Sequence, residues 1–280
     1  MPSYKLLALD VDGTLIGRDG LVRPATAAAV ARASAAGIRP VLCTGRRYRR
    51  ARPVARQLGL DAPLVCNSGA LVKDPGTHRT LWRADLGGEL MVAVLDVLRS
   101  RGEPAVSIVD HEETPPDFLI PARPTGRHLF DDYVERNGQY ALVDPDWMDR
   151  PERGSHFHLF AVGERDAMLE IEALLLLAAP GRLRTFVLHT SAYRGVMCEV
   201  LDTEASKWSA VLHLAERWGI GPDQIVAVGD DVNDLPMIRG AGLGVAMGQA
   251  PEVVREAADL VAPGFEDDGV AALIDGVLLA

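Results

Sequence analysis

The chain has 280 residues, of which 48% are hydrophobic and 24% are charged. This length supports one or two globular domains, and the net charge of −10 argues against a general nucleic-acid-binding protein, which carries a basic surface. An anionic substrate stays compatible with this charge, because a bound divalent cation can reverse the field in one cleft.

The three cysteines, Cys43, Cys66 and Cys198, lie far apart in apolar runs. They show no metal-ligand spacing, and their odd number disfavours a disulfide framework. We therefore expect three buried, reduced thiols and a cytoplasmic protein. No signal peptide fits before the first strand, and the apolar run 173–179 is too short to cross a membrane. No membrane partner is expected, and the sequence carries no signal for an oligomeric state.

The first part of the chain predicts strands that alternate with helices. Proline near the start and glycine just after the end delimit the first helix. The predicted elements are the strand Leu6–Leu9, the helix Pro24–Ala36, the strand Arg39–Cys43, the helix Tyr48–Leu58 and the strand Pro63–Cys66.

The middle of the chain has a different pattern, with a loop, Asp110–Pro124, whose four prolines exclude a regular helix. Around it we predict the helix Glu89–Ser100, the strand Ala105–Val109, the strand His156–Val162, the helix Arg165–Ala179 and the strand Leu183–His189. We interpret residues 85–191 as a smaller α+β domain inserted into a core that consists of residues 1–84 and 192–280.

The last part returns to alternating helices and strands. The predicted elements are the helix Ser206–Trp218, the strand Ile225–Val228, a helix near Leu235, the strand Gly244–Met247, the helix Glu252–Ala258, the strand Leu260–Ala262 and the helix Val270–Leu279. Such alternation is typical of a parallel sheet with helices on both faces. The predicted fold class is therefore α/β, with a Rossmann-like core and an inserted domain.

Two carboxylates, Asp10 and Asp12, follow the apolar strand Leu6–Leu9. Their spacing aims both side chains to one side of an extended chain, while Gly13 permits a close turn and Thr14 adds a hydroxyl. A carboxylate in this position can act as a nucleophile, and its neighbour can bind a metal or carry a proton. Taken by itself, the segment is more simply explained as an acidic turn after a strand.

Two further segments offer groups that bind phosphate. Thr44-Gly45-Arg46 follows a predicted strand, and its hydroxyl and backbone amides could hold a phosphate oxygen or simply cap a helix. Lys207 lies in the first turn of a predicted helix, where a cation opposes the helix dipole. The lysine makes sense there if an anion lies beside the amine, although a solvated lysine is the simpler alternative.

A cluster of acidic residues follows the predicted strand Ile225–Val228. Three carboxylates and one amide within five positions repel one another unless a cation compensates them, and hard oxygen ligands of this kind suit Mg²⁺. An acidic first helical turn explains one or two of them. The residues are Asp230, Asp231, Asn233 and Asp234.

Taken together, these segments resemble the haloacid dehalogenase superfamily of phosphotransferases, and more closely its Cof-type branch, whose members carry an inserted α/β (C2B-type) cap. The matching motifs are Leu9-Asp10-Val11-Asp12-Gly13-Thr14-Leu15, Cys43-Thr44-Gly45-Arg46, Lys207 and Gly229-Asp230-Asp231-Val232-Asn233-Asp234. Softer matches are Ser68-Gly69-Ala70-Leu71, Gly244–Ala250 and Glu266–Val270. Ser68 departs from the branch, which more often has Asn there, and the inserted domain matches in size and position only.

The resemblance implies a Mg²⁺-dependent phosphatase that acts on small phosphorylated metabolites, sugar phosphates among them. Asp10 would attack phosphorus and form an aspartyl-phosphate, and Asp12 would act as the acid and base. The implied metal ligands are Asp10, the backbone carbonyl of Asp12, Asp230 and Asp231. The implied phosphate-binding residues are Val11, Thr44, Gly45, Lys207 and Asn233, and Asp234 would orient Lys207 or a metal-bound water.

Two other functions stay open at this point. A phosphosugar mutase of the same fold would need an activating bisphosphate and would release little phosphate. A phosphometabolite-binding protein without catalysis would have no need of two acid/base carboxylates, so Asp10 and Asp12 argue against it. Arg46 is assigned either to the leaving group or to the surface.

Overall fold

The computed structural model describes residues 4–17, 19–111, 116–151, 155–189 and 194–280. The chain divides into two compact units. The first unit contains Met1–Trp82 and Ser206–Ala280, and the second contains Arg83–Ala205.

The secondary structure follows the chain in three stretches. The first stretch contains β1 (Leu6–Leu9), α1 (Pro24–Ala35), β2 (Arg39–Leu42), α2 (Tyr48–Gln57), β3 (Leu64–Cys66), β4 (Leu71–Lys73) and β5 (Thr80–Arg83), whose last residue is the first of the second unit. The second unit contains α3 (Gly88–Ser100), β6 (Val106–Ile108), β7 (Phe118–Ile120), α4 (His128–Asn137), β8 (Ala141–Val143), β9 (Leu159–Gly163), α5 (Arg165–Ala178), β10 (Leu183–His189) and β11 (Val196–Asp202). After it come α6 (Lys207–Arg217), β12 (Ile225–Gly229), α7 (Leu235–Gly240), β13 (Leu243–Ala246), α8 (Glu252–Ala257), β14 (Leu260–Val261) and α9 (Gly269–Leu273), which continues as a π-helical turn, Ile274–Leu278.

In the described part of the first unit, the central sheet has the strand order β14-β13-β12-β1-β2. Each pairing in this sheet is parallel, and Leu6 in β1 lies opposite both Ile225 and Arg39. All four residues of β1 are fully buried, as expected for a strand covered on both faces. The predicted α/β core is therefore confirmed, and β1 lies between β2 and β12.

The hairpin after β3 was not predicted from the sequence. The strands β3, β4 and β5 form a small sheet of their own, in which β3 and β4 are antiparallel. One parallel bridge, between Cys43 and Val65, links β3 to the edge of the central sheet. The strand β3 was predicted, but the three-residue length of β4 leaves too short an alternating pattern to recognise.

The described part of the second unit forms a sheet with the order β10-β11-β9-β6-β7-β8. The helices α3 and α5 pack on it through a shared apolar core that includes Leu95, Leu159 and Leu175. The strand β7 lies inside the loop that the sequence assigned to irregular structure, because the prolines on either side leave room for three paired residues. The mixed α and β content agrees with the predicted inserted domain.

The end of the second unit differs from the sequence-based boundary at residue 192. That position lies outside the described residues, whereas β11 pairs with β10 and β9 along most of its length. Residues 196–205 therefore belong to the second unit, and the chain returns to the first unit at Ser206. The strand was missed because the sequence-based boundary had already returned the chain to the core before it.

The three cysteines are buried and free, as expected. Among the helices that the structure describes, none has the length and apolar character needed to span a membrane.

A close approach between Gly69 and the start of α6 shapes one edge of the first unit. Gly69 has a φ of +96°, and a Cβ atom there would overlap the backbone of Ser206 and Lys207. Ser206 caps α6, since its hydroxyl oxygen accepts the backbone N–H of Ser209 at 2.9 Å. The loop after β3 thus fixes the position of the helix that begins with Lys207.

We predict that Gly69→Ala lowers the free energy of unfolding far more than Gly37→Ala. Gly37 is the matched control, because its φ is +87° but a Cβ atom there would meet nothing within 4 Å. The control should lose about 1–2 kcal/mol from backbone strain alone, and Gly69→Ala a further ~1–3 kcal/mol from overlap. Urea denaturation measures both, and equal losses would contradict the close approach.

Candidate active site

The candidate catalytic residues follow three neighbouring strands of the central sheet. Asp10 comes directly after β1, Thr44 follows β2, and Asp230 follows β12. Because β1 pairs with both of the other strands in parallel, their carboxyl ends lie at the same edge. This is the edge where open α/β sheets bind ligands.

Lys207 lies at the centre of this edge and is only 1% exposed. Its Nζ donates to Oδ1 of Asp10 and to Oδ1 of Asp234, each at 2.6 Å. Asp10 and Asp234 are buried as well. A cation in the first turn of α6 is unfavourable to the helix dipole, and here two carboxylates of the protein compensate it.

Asp234 organises the loop that follows β12. Its Oδ1 faces Lys207, while its Oδ2 accepts the backbone N–H groups of Asp230 and Asp231, both at 3.0 Å. A Cβ atom on Gly229 would overlap the Asp234 side chain, so only glycine fits at the end of β12. All the oxygen contacts of Asp234 thus serve to hold Lys207 and this loop.

Burial dominates the electrostatics of the cluster. The pKa of Asp10 lies well above its usual range, mainly because the carboxyl group is buried, while Lys207 opposes that shift. Burial and then the charge of Asp234 raise the pKa of Asp230 to about 7. Burial lowers the pKa of Lys207, but Asp10 and Asp234 raise it by more, so the amine stays protonated.

The same residues form a candidate metal site. In the described part of the chain, carboxylate oxygens of Asp10, Asp230 and Asp234 lie within 4.8 Å of one another. Asp234 is engaged by Lys207 and two amides, which leaves Asp10 and Asp230 as the available donors. Such hard oxygen donors, with one lysine for three carboxylates, fit Mg²⁺. The carboxylate of Asp231 is outside this cluster, and its Oδ1 accepts the N–H of Val232 at 2.7 Å.

The turn after Asp12 touches the metal cluster directly. Thr14 donates its hydroxyl hydrogen to Oδ1 of Asp230 at 3.2 Å. Gly13 has a φ of +85°, and a Cβ atom there would overlap the Asp230 carboxylate. The sequence suggested a close turn at Gly13, and the structure shows that Asp230 is what it approaches.

Asp12 and Arg46 form a bidentate ion pair that the sequence did not identify. Nε of Arg46 lies 2.7 Å from Oδ2 of Asp12, and its Nη2 lies 2.7 Å from Oδ1. The Asp12 side chain is 59% exposed, in contrast to the buried Asp10. From the sequence, Arg46 was assigned either to the leaving group or to the surface. In the structure it contacts Asp12, the second aspartate of the first motif.

Thr44 is fully buried at the end of β2. Its N–H donates to the carbonyl of Val65 at 2.9 Å, and its hydroxyl oxygen accepts the N–H of Arg46 at 3.1 Å. The Thr44 hydroxyl thus acts as an acceptor in this contact and retains one hydrogen to donate. Asn233 is 7% exposed and lies in the loop that Asp234 organises.

Val11 and Gly45 complete the set predicted from the sequence. Val11 is buried, and its carbonyl accepts the N–H groups of Leu15 and Ile16 at 2.9 and 3.0 Å. Gly45 lies between the buried Thr44 and the half-buried Arg46. Val11 directly follows Asp10 and Gly45 directly follows Thr44 in the sequence.

The sequence of this chain is similar to those of known hydrolases. The sequence profile of the haloacid dehalogenase-like hydrolases matches residues 7–274. A pyridoxal phosphate phosphatase of Escherichia coli is 27% identical, over 96% of this chain and 97% of its own. A 5-amino-6-(5-phospho-D-ribitylamino)uracil phosphatase of Bacillus subtilis is 26% identical, over 98% of both chains.

Solved structures show the same fold. A phosphatase of this superfamily from Bacteroides thetaiotaomicron superimposes with a TM-score of 0.79. The match covers 98% of this chain and 94% of the other, at 21% sequence identity.

We predict that Lys207 and Asp234 are strongly coupled in stability. Lys207→Met leaves two buried carboxylates without their cation, and breaking such a buried pair costs about 3–5 kcal/mol. The double variant Lys207→Met/Asp234→Asn should lose less than the sum of the two single losses, by more than about 1 kcal/mol. Urea denaturation of all four proteins in EDTA measures this coupling.

The control is the exposed ion pair between Arg32 and Asp275, whose side chains are 50% and 47% exposed. Its coupling should be negligible beside that of the buried pair, because solvent screens exposed charges. Additive losses at Lys207 and Asp234 would show that the buried contact does not hold the cluster together.

Proposed function

The chain belongs to the haloacid dehalogenase-like hydrolases and is a phosphoric monoester hydrolase, and we propose that it hydrolyses small phosphorylated metabolites with Mg²⁺ and an aspartyl-phosphate intermediate. The observation that carries this proposal is the buried contact of Asp10 with Lys207 beside Asp230. In this proposal, the contact would bring together a carboxylate nucleophile, a phosphate-binding cation and metal ligands.

Asp10 is proposed as the nucleophile. Lys207 holds its Oδ1, which leaves the other carboxylate oxygen to attack phosphorus in line with the leaving oxygen. The new bond joins Asp10 to phosphorus while the bond from phosphorus to the leaving oxygen breaks. Water then attacks the phosphoryl group, releases inorganic phosphate and restores the Asp10 carboxylate.

Asp12 is proposed as the acid and base. In the first step it protonates the leaving oxygen, and in the second it takes the proton from the attacking water. Its exposed side chain lies where a leaving group can reach it, two residues after the nucleophile. The ion pair with Arg46 gives the carboxylate a defined direction.

The transferring phosphoryl oxygens are proposed to be bound by five residues that surround Asp10. Lys207 supplies a positive charge, and Thr44 supplies the hydroxyl hydrogen that its own backbone contacts leave unused. Fixed donors of this kind stabilise charge in the transition state by several kcal/mol. The full set is Val11, Thr44, Gly45, Lys207 and Asn233.

Mg²⁺ is proposed as the cofactor because the available donors are carboxylate oxygens. Asp10, the backbone carbonyl of Asp12, and Asp230 would hold it, and Asp231 would contribute through water. When bound, the ion neutralises negative charge between the Asp10 carboxylate and the incoming phosphate.

Small phosphorylated metabolites are the proposed substrates, in line with the phosphatases of pyridoxal phosphate and of a ribitylaminouracil phosphate among the relatives. Sugar phosphates are the first compounds to test. We assign choice of the leaving group to the inserted unit, residues 83–205. The three buried, free cysteines favour the cytoplasm.

We predict that Asp10→Asn abolishes phosphate release, lowering kcat at least about a thousandfold. The variant should stay folded, because Lys207 keeps Asp234 as a partner. Phosphate release from an aryl phosphate and from a panel of sugar phosphates measures the effect, with the exposed Asp61→Asn as a matched control. Full activity in Asp10→Asn would contradict this mechanism. If the wild-type protein isomerised a sugar phosphate and released no inorganic phosphate, it would be a mutase instead.

We predict that Mg²⁺ stabilises the protein and that Asp230→Asn removes this effect. A ligand that binds only the folded state stabilises it by about 2.7 kcal/mol at 100 times its Kd. Thermal unfolding with EDTA and with added Mg²⁺ measures the shift without reference to activity. Equal stabilisation of Asp230→Asn and Asp61→Asn would place the ion elsewhere.

A further inference from the structure

Gln249 bridges two loops beside the active site. It follows β13, and its Nε2 donates to the carbonyl of Gly13 at 2.6 Å. Its Oε1 accepts the backbone N–H of Phe265 at 3.0 Å. One amide side chain therefore uses both its donor and its acceptor on the backbone of two separate segments.

The Gly13 carbonyl belongs to the turn that carries the catalytic groups. Asp12 precedes it, and the hydroxyl of Thr14, the next residue, donates to Asp230. The N–H of Gly13 donates to the carbonyl of Ile16 at 2.9 Å, which closes the turn. A rotation of the peptide between Gly13 and Thr14 would therefore move both Asp12 and the contact with Asp230.

The other segment, residues 263–268, is fixed independently of Gln249. Arg23 pairs with Asp268 at 2.6 Å and with Glu266 at 3.5 Å. A Cβ atom on Gly17 would lie 2.6 Å from the ring of Phe265, so the segments that carry these two residues are in contact there. Gln249 thus ties the turn after Asp12 to a support that has its own contacts.

We propose that Gln249 is a positioning residue for the phosphatase reaction. It fixes the Gly13 carbonyl, and through this peptide it sets the direction of Asp12 and the contact of Thr14 with Asp230. The proposal rests on the proposed function of Asp12 and Asp230. A misplacement of catalytic groups by about 1 Å can cost about a hundredfold in rate, so a single amide contact at this peptide is sufficient to matter.

The decisive variant is Gln249→Glu. Glutamate keeps the size of the side chain and can still accept the N–H of Phe265, but it cannot donate to Gly13 and repels its carbonyl. Gln249 lies at the surface, so the new charge is not buried. Gln249→Met, which removes both contacts without adding charge, serves as the second variant.

The matched control is Gln57→Glu. The Oε1 of Gln57 accepts the N–H of Val22 at 3.1 Å, a role that glutamate retains. Steady-state kinetics with an aryl phosphate gives kcat and KM separately. Hydrogen exchange of the peptide that covers residues 10–17 reports on the turn itself, whose amides at Gly13, Leu15 and Ile16 are hydrogen-bonded.

We expect Gln249→Glu to lower kcat at least tenfold with KM nearly unchanged, and to speed exchange in residues 10–17. Gln249→Met should fall between this variant and the wild type, and Gln57→Glu should match the wild type. Wild-type kcat in Gln249→Glu would overturn the proposal, whether exchange is faster or not. A loss of thermal stability alone would overturn it too. Phosphate release by the wild type tests the proposed function separately.

Discussion

The buried ammonium group of Lys207 is the contact on which the candidate site depends. It lies between Asp10 and Asp234, with both carboxylate oxygens 2.6 Å away. Charges are tolerated in a protein interior only when they are paired and hydrogen-bonded. The amine and both carboxylates must therefore keep this one geometry. That arrangement aims Asp10 and, through the amides that Asp234 holds, it also shapes the loop that carries Asp230.

The backbone around this contact is shaped by three glycines that allow close approach. Gly69 lets the loop after β3 touch the start of α6, Gly229 makes room for Asp234, and Gly13 admits the Asp230 carboxylate. Each brings one segment against another at the edge where β2, β1 and β12 end. The sheet thus supplies rigidity, while the glycines supply the short distances that a phosphate and metal site needs.

Much of this site follows from the sequence, because its groups stand directly after apolar strands. Asp10, Thr44 and Asp230 could be located in this way, and the parallel sheet brings them together. The pairing of Arg46 with Asp12 and the bridge made by Gln249 could not, because both depend on which side chains reach across loops. The end of the inserted unit was also misplaced, since β11 is defined by pairing with β9 and β10 rather than by its own pattern.

The most direct test is to trap the phosphoryl group on Asp10. Borohydride reduces an acyl phosphate to an alcohol, so a quench during turnover would convert the phosphorylated aspartate to homoserine. With an aryl phosphate, whose leaving oxygen needs little protonation, Asp12→Asn slows mainly the second step in this account and should raise the trapped fraction. Peptide mass spectrometry is predicted to find homoserine at position 10 only when substrate is present. Modification at another carboxylate, or none in either protein while phosphate is released, would contradict an aspartyl-phosphate on Asp10.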